Sequence, residues 1–114
     1  MVIEAHIGLL NEPGFDFYGG DYSGNIPKRL SPLLPNGSEV HAYICRLERN
    51  GENEARQLDW GAFGAIFTKQ QLADFVDFFY KKGSANEIRK FIKGLDAEQK
   101  YVLVAYETGE DSGE

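Results

Sequence analysis

Residues 100–107, Lys-Tyr-Val-Leu-Val-Ala-Tyr-Glu, read as a strand that is apolar on both sides. Val102 and Val104 face one way and Tyr101, Leu103 and Ala105 the other, because successive side chains of a strand alternate. Such a strand belongs inside a sheet, with cover in front and behind, since an antiparallel sheet with one wet face would alternate apolar and polar. Residues 2–10 make a similar demand. Ile3, Ala5, Ile7 and Leu9 share one face, and Val2, Glu4, His6, Gly8 and Leu10 the other.

Two further strands are expected between these. Residues 39–48 alternate, with Val40, Ala42 and Ile44 against His41, Tyr43, Cys45 and Leu47. Asn50-Gly51 follows, a dipeptide that tolerates positive φ at both positions and so predicts a hairpin. The return strand begins near Glu54, and Gly61 and Gly64 mark a bulge or bend before Phe67.

Helices supply the front cover. Thr68-Lys-Gln-Gln71 is a capping box: the threonine oxygen accepts an otherwise unpaired amide, and Gln71 reaches back. The helix it opens is expected over Lys69 to about Lys82, with Leu72, Phe75, Val76 and Phe79 on one stripe and Gly83 as its stop. Ser84-Ala-Asn-Glu87 predicts a second box and a short helix from about Ala85 to Lys93. The fold class is therefore α+β: a roughly four-stranded, mainly antiparallel sheet with two consecutive helices on one face. The 114 residues suit one domain, assigned to 1–107, with an acidic tail at 108–114 that is expected to be disordered.

The second face needs a different cover. Residues 11–37 form a long aromatic and glycine-rich loop after the first strand, carrying Phe15, Phe17, Tyr18, Tyr22, Leu30, Leu33 and Leu34. A connection of this length in a small domain is usually functional or folded on itself. It is expected to fold back over the rear of the sheet.

Composition narrows the function. The formal net charge is −6, and no basic stripe exists to neutralise phosphates, so nucleic acid and anionic membrane are poor partners. The N-terminus has an early Glu4 and no basic run before its short apolar stretch, so a cytoplasmic location is expected. The single cysteine, Cys45, cannot form an intramolecular disulfide and reads as a small buried hydrophobe. No cofactor or metal is expected. On a strand, His41 and Cys45 would stand about 13 Å apart, too far for one zinc ion. Asp74 and Asp77 fit a solvated helix face, with Asp77 paired to Lys81 one turn on. The glycines of the loop lack the Gly-Lys-Ser/Thr that follows a phosphate loop, and no serine sits in a nucleophile elbow.

These exclusions favour an acidic, non-enzymatic protein-binding domain that inhibits or modulates a basic partner, as an immunity protein does a toxin domain. Tyrosines give large contact area at low entropy cost, and carboxylates pair with basic groups. The expected contact residues are Asp16, Tyr18, Asp21 and Tyr22 of the loop, with Asp59 and Trp60 beside them. The alternative is a small-molecule-binding or enzymatic domain with a pocket between the 11–37 loop and the sheet, using His6 and His41 as general base and acid. A homodimer through the same face is a third reading.

Overall fold

A computed structural model describes residues 2–19 and 25–108. The elements run β1 (Ile3–Leu9), α1 (Gly37–Asn50), β2 (Arg56–Asp59), β3 (Ala62–Thr68), α2 (Lys69–Phe79), α3 (Asn86–Lys93) and β4 (Lys100–Glu107). The four strands form one antiparallel sheet in the order β1-β4-β3-β2. The fold is α+β. The doubly apolar strand β4 lies inside the sheet, between β1 and β3. No helix among the described residues is long and apolar enough to cross a membrane.

The segment expected as the second strand is a helix. Val40, Ile44 and Leu47 recur at i, i+4 and i+7 and are all buried. The same run satisfies both periods, and its length beyond the alternating core decides for helix. Asn50-Gly51 is correspondingly a helix stop and not a hairpin. Gly51 takes φ 70, and its N–H donates to the carbonyls of Glu48 and Leu47. The tight hairpin lies ten residues later, where Trp60 and Gly61 join β2 to β3 with Gly61 at φ 75. The bend expected at Gly61 is this turn, Gly64 pairs in regular register, and the ladder's shift lies earlier, between Gln57 and Asp59. Gly64 leaves the space that the Leu58 side chain fills; a methyl there would stand 2.6 Å from Leu58 Cδ1.

The helix opened by Thr68 begins as expected, with both halves of the capping box formed. It ends at Phe79, short of Lys82, because Tyr80 turns inward and its hydroxyl donates to the Pro35 carbonyl at 2.6 Å. The second capping box does not form. Ala85 occupies the cap position at φ 56 with no side-chain cap bond, and Ser84 Oγ instead donates to the Lys81 carbonyl. Arg89 ties this connection together, donating to the Ser84 and Lys81 carbonyls and to Asp77 Oδ1 at 2.6 Å. Asp77 is thus paired with Arg89, not with Lys81.

Two apolar cores result. The front core gathers Ala5, Ile7, Leu103 and Ala105 of the sheet under Val40, Ile44, Leu47, Leu72, Phe75, Val76, Ile88 and Ile92 of three helices. Each of these side chains larger than alanine contributes about 1.5–3 kcal/mol relative to exposure. The rear core is smaller: Leu58, Ile66, Val102 and Val104 of the sheet meet Phe17, with Phe15 and Ile26 at its border. Pro27 is fully buried and lies against Gly8, where an added Cβ would stand 2.8 Å from the proline ring. Residues 30–34 then seal the outer edge of β1: Leu30 and Ser31 N–H donate to the Ile7 carbonyl, and Leu34 N–H to that of Ala5. Thr108 N–H still donates to the Val2 carbonyl, and the rest of the expected tail lies outside the described residues.

Candidate functional site

The predicted contact residues that are described, Asp16, Tyr18, Asp59 and Trp60, fall around the short strand β2. Asp16 Oδ1 accepts from the Tyr18 N–H at 3.1 Å, a local turn that fixes the chain after the buried Phe17. Asn25 locks the same corner from the far side, its Nδ2 donating to the Asp16 carbonyl at 2.8 Å and its Oδ1 accepting from the Asp16 N–H. Tyr18 emerges 57% exposed. Its ring stands edge-on to Phe17 and lies 6.0 Å from the Arg56 guanidinium. Its hydroxyl donates to Glu54 Oε1 at 2.6 Å, and that bond is the chief reason the hydroxyl is harder to ionise than usual.

Asp59 and Trp60 stand at the other end of β2. The Asp59 carboxylate accepts from the Trp60 N–H at 2.7 Å, and the indole is 75% exposed on its two-residue turn. The two pairs are therefore joined by one strand of four residues, about 13 Å long at the usual rise. Asp21 and Tyr22 lie outside the described residues.

Glu54 and Arg56 belong to this surface and carried no signal as site residues. Glu54 takes φ 52 directly after Asn53 at φ 55, an uncommon pair of left-handed residues. Asn53 anchors the kink, its carbonyl accepting from Ile66 N–H and its side-chain amide donating to the Ile66 carbonyl. The left-handed step brings the Glu54 carboxylate to Tyr18.

The two histidines are not partners. His6 is buried on the rear of β1, its Nε2–H donating to the Pro27 carbonyl at 2.9 Å. Its ring meets Tyr106 edge-on. His41 projects from α1 on the front, where its ring meets Phe63. The sheet lies between them, so they do not act together as base and acid. His6 Nδ1 is buried without a partner, and burial is the main cause that lowers its pKa. Clefts of about 270–430 Å³ lie between α2 and α3, beside α2 and α1, around Thr68, and where Val2 and Ile3 meet Asn36 and Gly37 at the end of the loop.

No three or more His, Cys, Asp or Glu side chains converge as a preset metal cage among the described residues. No protein-family model matches the chain, and comparisons with curated proteins and with solved structures return no match.

Proposed function

We propose that this chain is an acidic protein-binding domain that occupies and inhibits, or modulates, a basic partner protein. One observation carries it: a three-quarters exposed tryptophan on a tight, strand-anchored turn, beside one carboxylate and one short strand away from an exposed Tyr18 with two more. Tryptophan and tyrosine dominate binding energy at interfaces, and rings already held by their backbone lose little freedom on contact. Asp16, Glu54 and Asp59 supply negative charge on a chain of net charge −6, which speeds encounter with a basic surface. Asp21 and Tyr22 extend the same set in sequence. Blocking is steric and electrostatic, and needs no chemistry from this chain.

The test is capture from lysate of the native host, with the bound protein identified by mass spectrometry and its affinity remeasured with purified components. A basic partner is expected, bound more weakly as salt rises. Trp60→Ala is expected to cost about 2 kcal/mol or more of binding. Lysine at Asp16 and Asp21 together is expected to slow association. A partner whose affinity ignores all three substitutions would refute the assignment.

A further inference from the structure

Phe78 is three-quarters exposed on α2 and takes no part in the front core. The buried stripe of that helix is Leu72, Phe75 and Val76. Phe78 belongs to a neighbouring stripe, Gln71, Asp74, Phe75 and Phe78, at i, i+3, i+4 and i+7. This stripe lines one side of a cleft of about 270 Å³, and Tyr43 of α1 lines the other. Phe67 and Phe75 are both buried and form its floor, with the Phe75 ring 5.1 Å from that of Tyr43 and 6.0 Å from that of Phe67.

The lining is aromatic and acidic. Among the described residues that form it there is no lysine or arginine, and its one charged group is the Asp74 carboxylate. Asp74 Oδ1 accepts from Gln70 Nε2 at 3.0 Å, and a carboxylate can accept several bonds beyond that one. We propose that the cleft is an anchor site for an arginine side chain of the basic partner. This rests on the protein-binding reading above and names the group that the contact would seat.

Three features support it. The first is chemistry. Aromatic faces attract cations, a guanidinium stacks flat on a ring, and a carboxylate at the rim pairs with its N–H groups. The chain itself makes the same kind of contact, since the Arg46 guanidinium lies 5.6 Å from the Tyr43 ring centroid. Burial first, and the charge of Glu52 after it, raise the pKa of the Tyr43 hydroxyl, so the ring stays neutral and a second carboxylate favours a cation nearby. The second feature is size: about 270 Å³ is less than a drug-sized ligand usually occupies, and suits one long side chain. The third is position. Asn53 lines the cleft and directly precedes Glu54, whose carboxylate holds Tyr18, so the cleft adjoins the surface around β2.

The probe is N-acetyl-arginine methylamide. The citrulline analogue is its uncharged isostere, and the norleucine analogue tests an apolar occupant. The full chain, labelled for amide and aromatic NMR signals, is titrated with each at low salt. Saturable shifts at Tyr43, Gln71, Asp74 and Phe78 are expected with the arginine compound, and binding at least about threefold weaker with the other two. Phe78→Ala and Asp74→Asn should each weaken the arginine compound by about two- to fivefold. Both positions are exposed, so the variants should melt with the parent, which separates loss of the site from loss of the fold. Affinity for the captured partner should fall about fivefold or more in Phe78→Ala. Equal binding of the citrulline or norleucine compound, or shifts away from the cleft, overturns the proposal. So does a partner that Trp60→Ala weakens and Phe78→Ala does not, a result that leaves the protein-binding reading standing. A partner indifferent to both substitutions overturns the two together.

Discussion

The front and rear of the sheet are closed by different means. Three helices cover the front, and their apolar stripes converge on one continuous core that includes Tyr43, Phe67, Phe75, Phe79 and Tyr80 as touching rings. A loop covers the rear with Phe17, Pro27 and their neighbours, and the covered area includes a buried histidine with one nitrogen unpaired. Helices satisfy their own backbone and can be pressed against a sheet along their length. A loop must find partners residue by residue, so it covers less and carries polar groups inward. The front is therefore built for cohesion, and the rear is the side that yields first.

The largest contrast is expected from removing one ring on each side. Phe75→Ala should cost about 3–5 kcal/mol in urea denaturation, since helix and sheet cannot collapse into the void. Phe17→Ala should cost at least about 1 kcal/mol less, because the loop can settle. Amide exchange should show residues 26–34 opening before α1 in the parent chain. Equal costs for the two substitutions would abolish the distinction between the faces.

Added methyl groups sharpen the same contrast. At Gly37 a Cβ would collide with the Ile3 carbonyl, backbone against backbone, where α1 starts on β1. At Gly8 it would meet the Pro27 ring and the Lys28 carbonyl at 2.8 Å, both on the loop. Overpacking costs about 1–3 kcal/mol. Gly37→Ala is expected near the top of that range and Gly8→Ala near the bottom, with the loss in Gly8→Ala confined to the loop as read by proteolysis.

Legibility followed the same division. The last strand, the first strand and the Thr68 helix start could be read because one local rule decided each: alternation on both faces, or a complete capping box. The segment from 37 to 50 could not, because Val40, Ile44 and Leu47 form a helical stripe while their neighbours also alternate. Asn50-Gly51 deepened the ambiguity, since left-handed residues serve hairpins and helix ends alike. Of the proposed contact residues, Tyr18, Asp59 and Trp60 stand out by residue type and loop position. Glu54 and Arg56 do not, because their relation to Tyr18 depends on packing across 36 residues of chain between positions 18 and 54. The contact of Cys45 Sγ with His41 Nδ1 at 3.7 Å was hidden for the same reason as α1, since it exists only when 37–50 is a helix.

A smaller effect separates the faces at high pH. Tyr80 is held in the front core, and burial, aided by the charge of Glu39, pushes its pKa up to about 12. Above pH 10 the unfolded chain ionises this hydroxyl while the folded chain keeps it neutral, so stability falls as pH rises through that window. Tyr80→Phe should lose about 1 kcal/mol at neutral pH with its bond to Pro35, and should flatten the alkaline decline.

The rear has the opposite dependence, seen as a slope rather than a step. Burial disfavours the charge of His6 and outweighs the hydrogen bond to the Pro27 carbonyl and the nearby Glu4, which favour it, while Arg29 adds to the disfavour. The pKa of His6 is lowered from 6.5, so below that pH the unfolded chain takes up a proton that the folded chain refuses. Stability is full above about pH 6.5 and declines as pH falls toward the folded-state value. His6→Gln keeps a donor for the Pro27 carbonyl and removes the titration. Its urea midpoint should therefore vary less than the parent's between neutral and mildly acidic pH, and proteolysis of the parent should show the loop, not α1, becoming the more susceptible segment. An unaltered slope in the variant would mean that acid sensitivity arises elsewhere, and that the rear core tolerates the charge it is built to exclude.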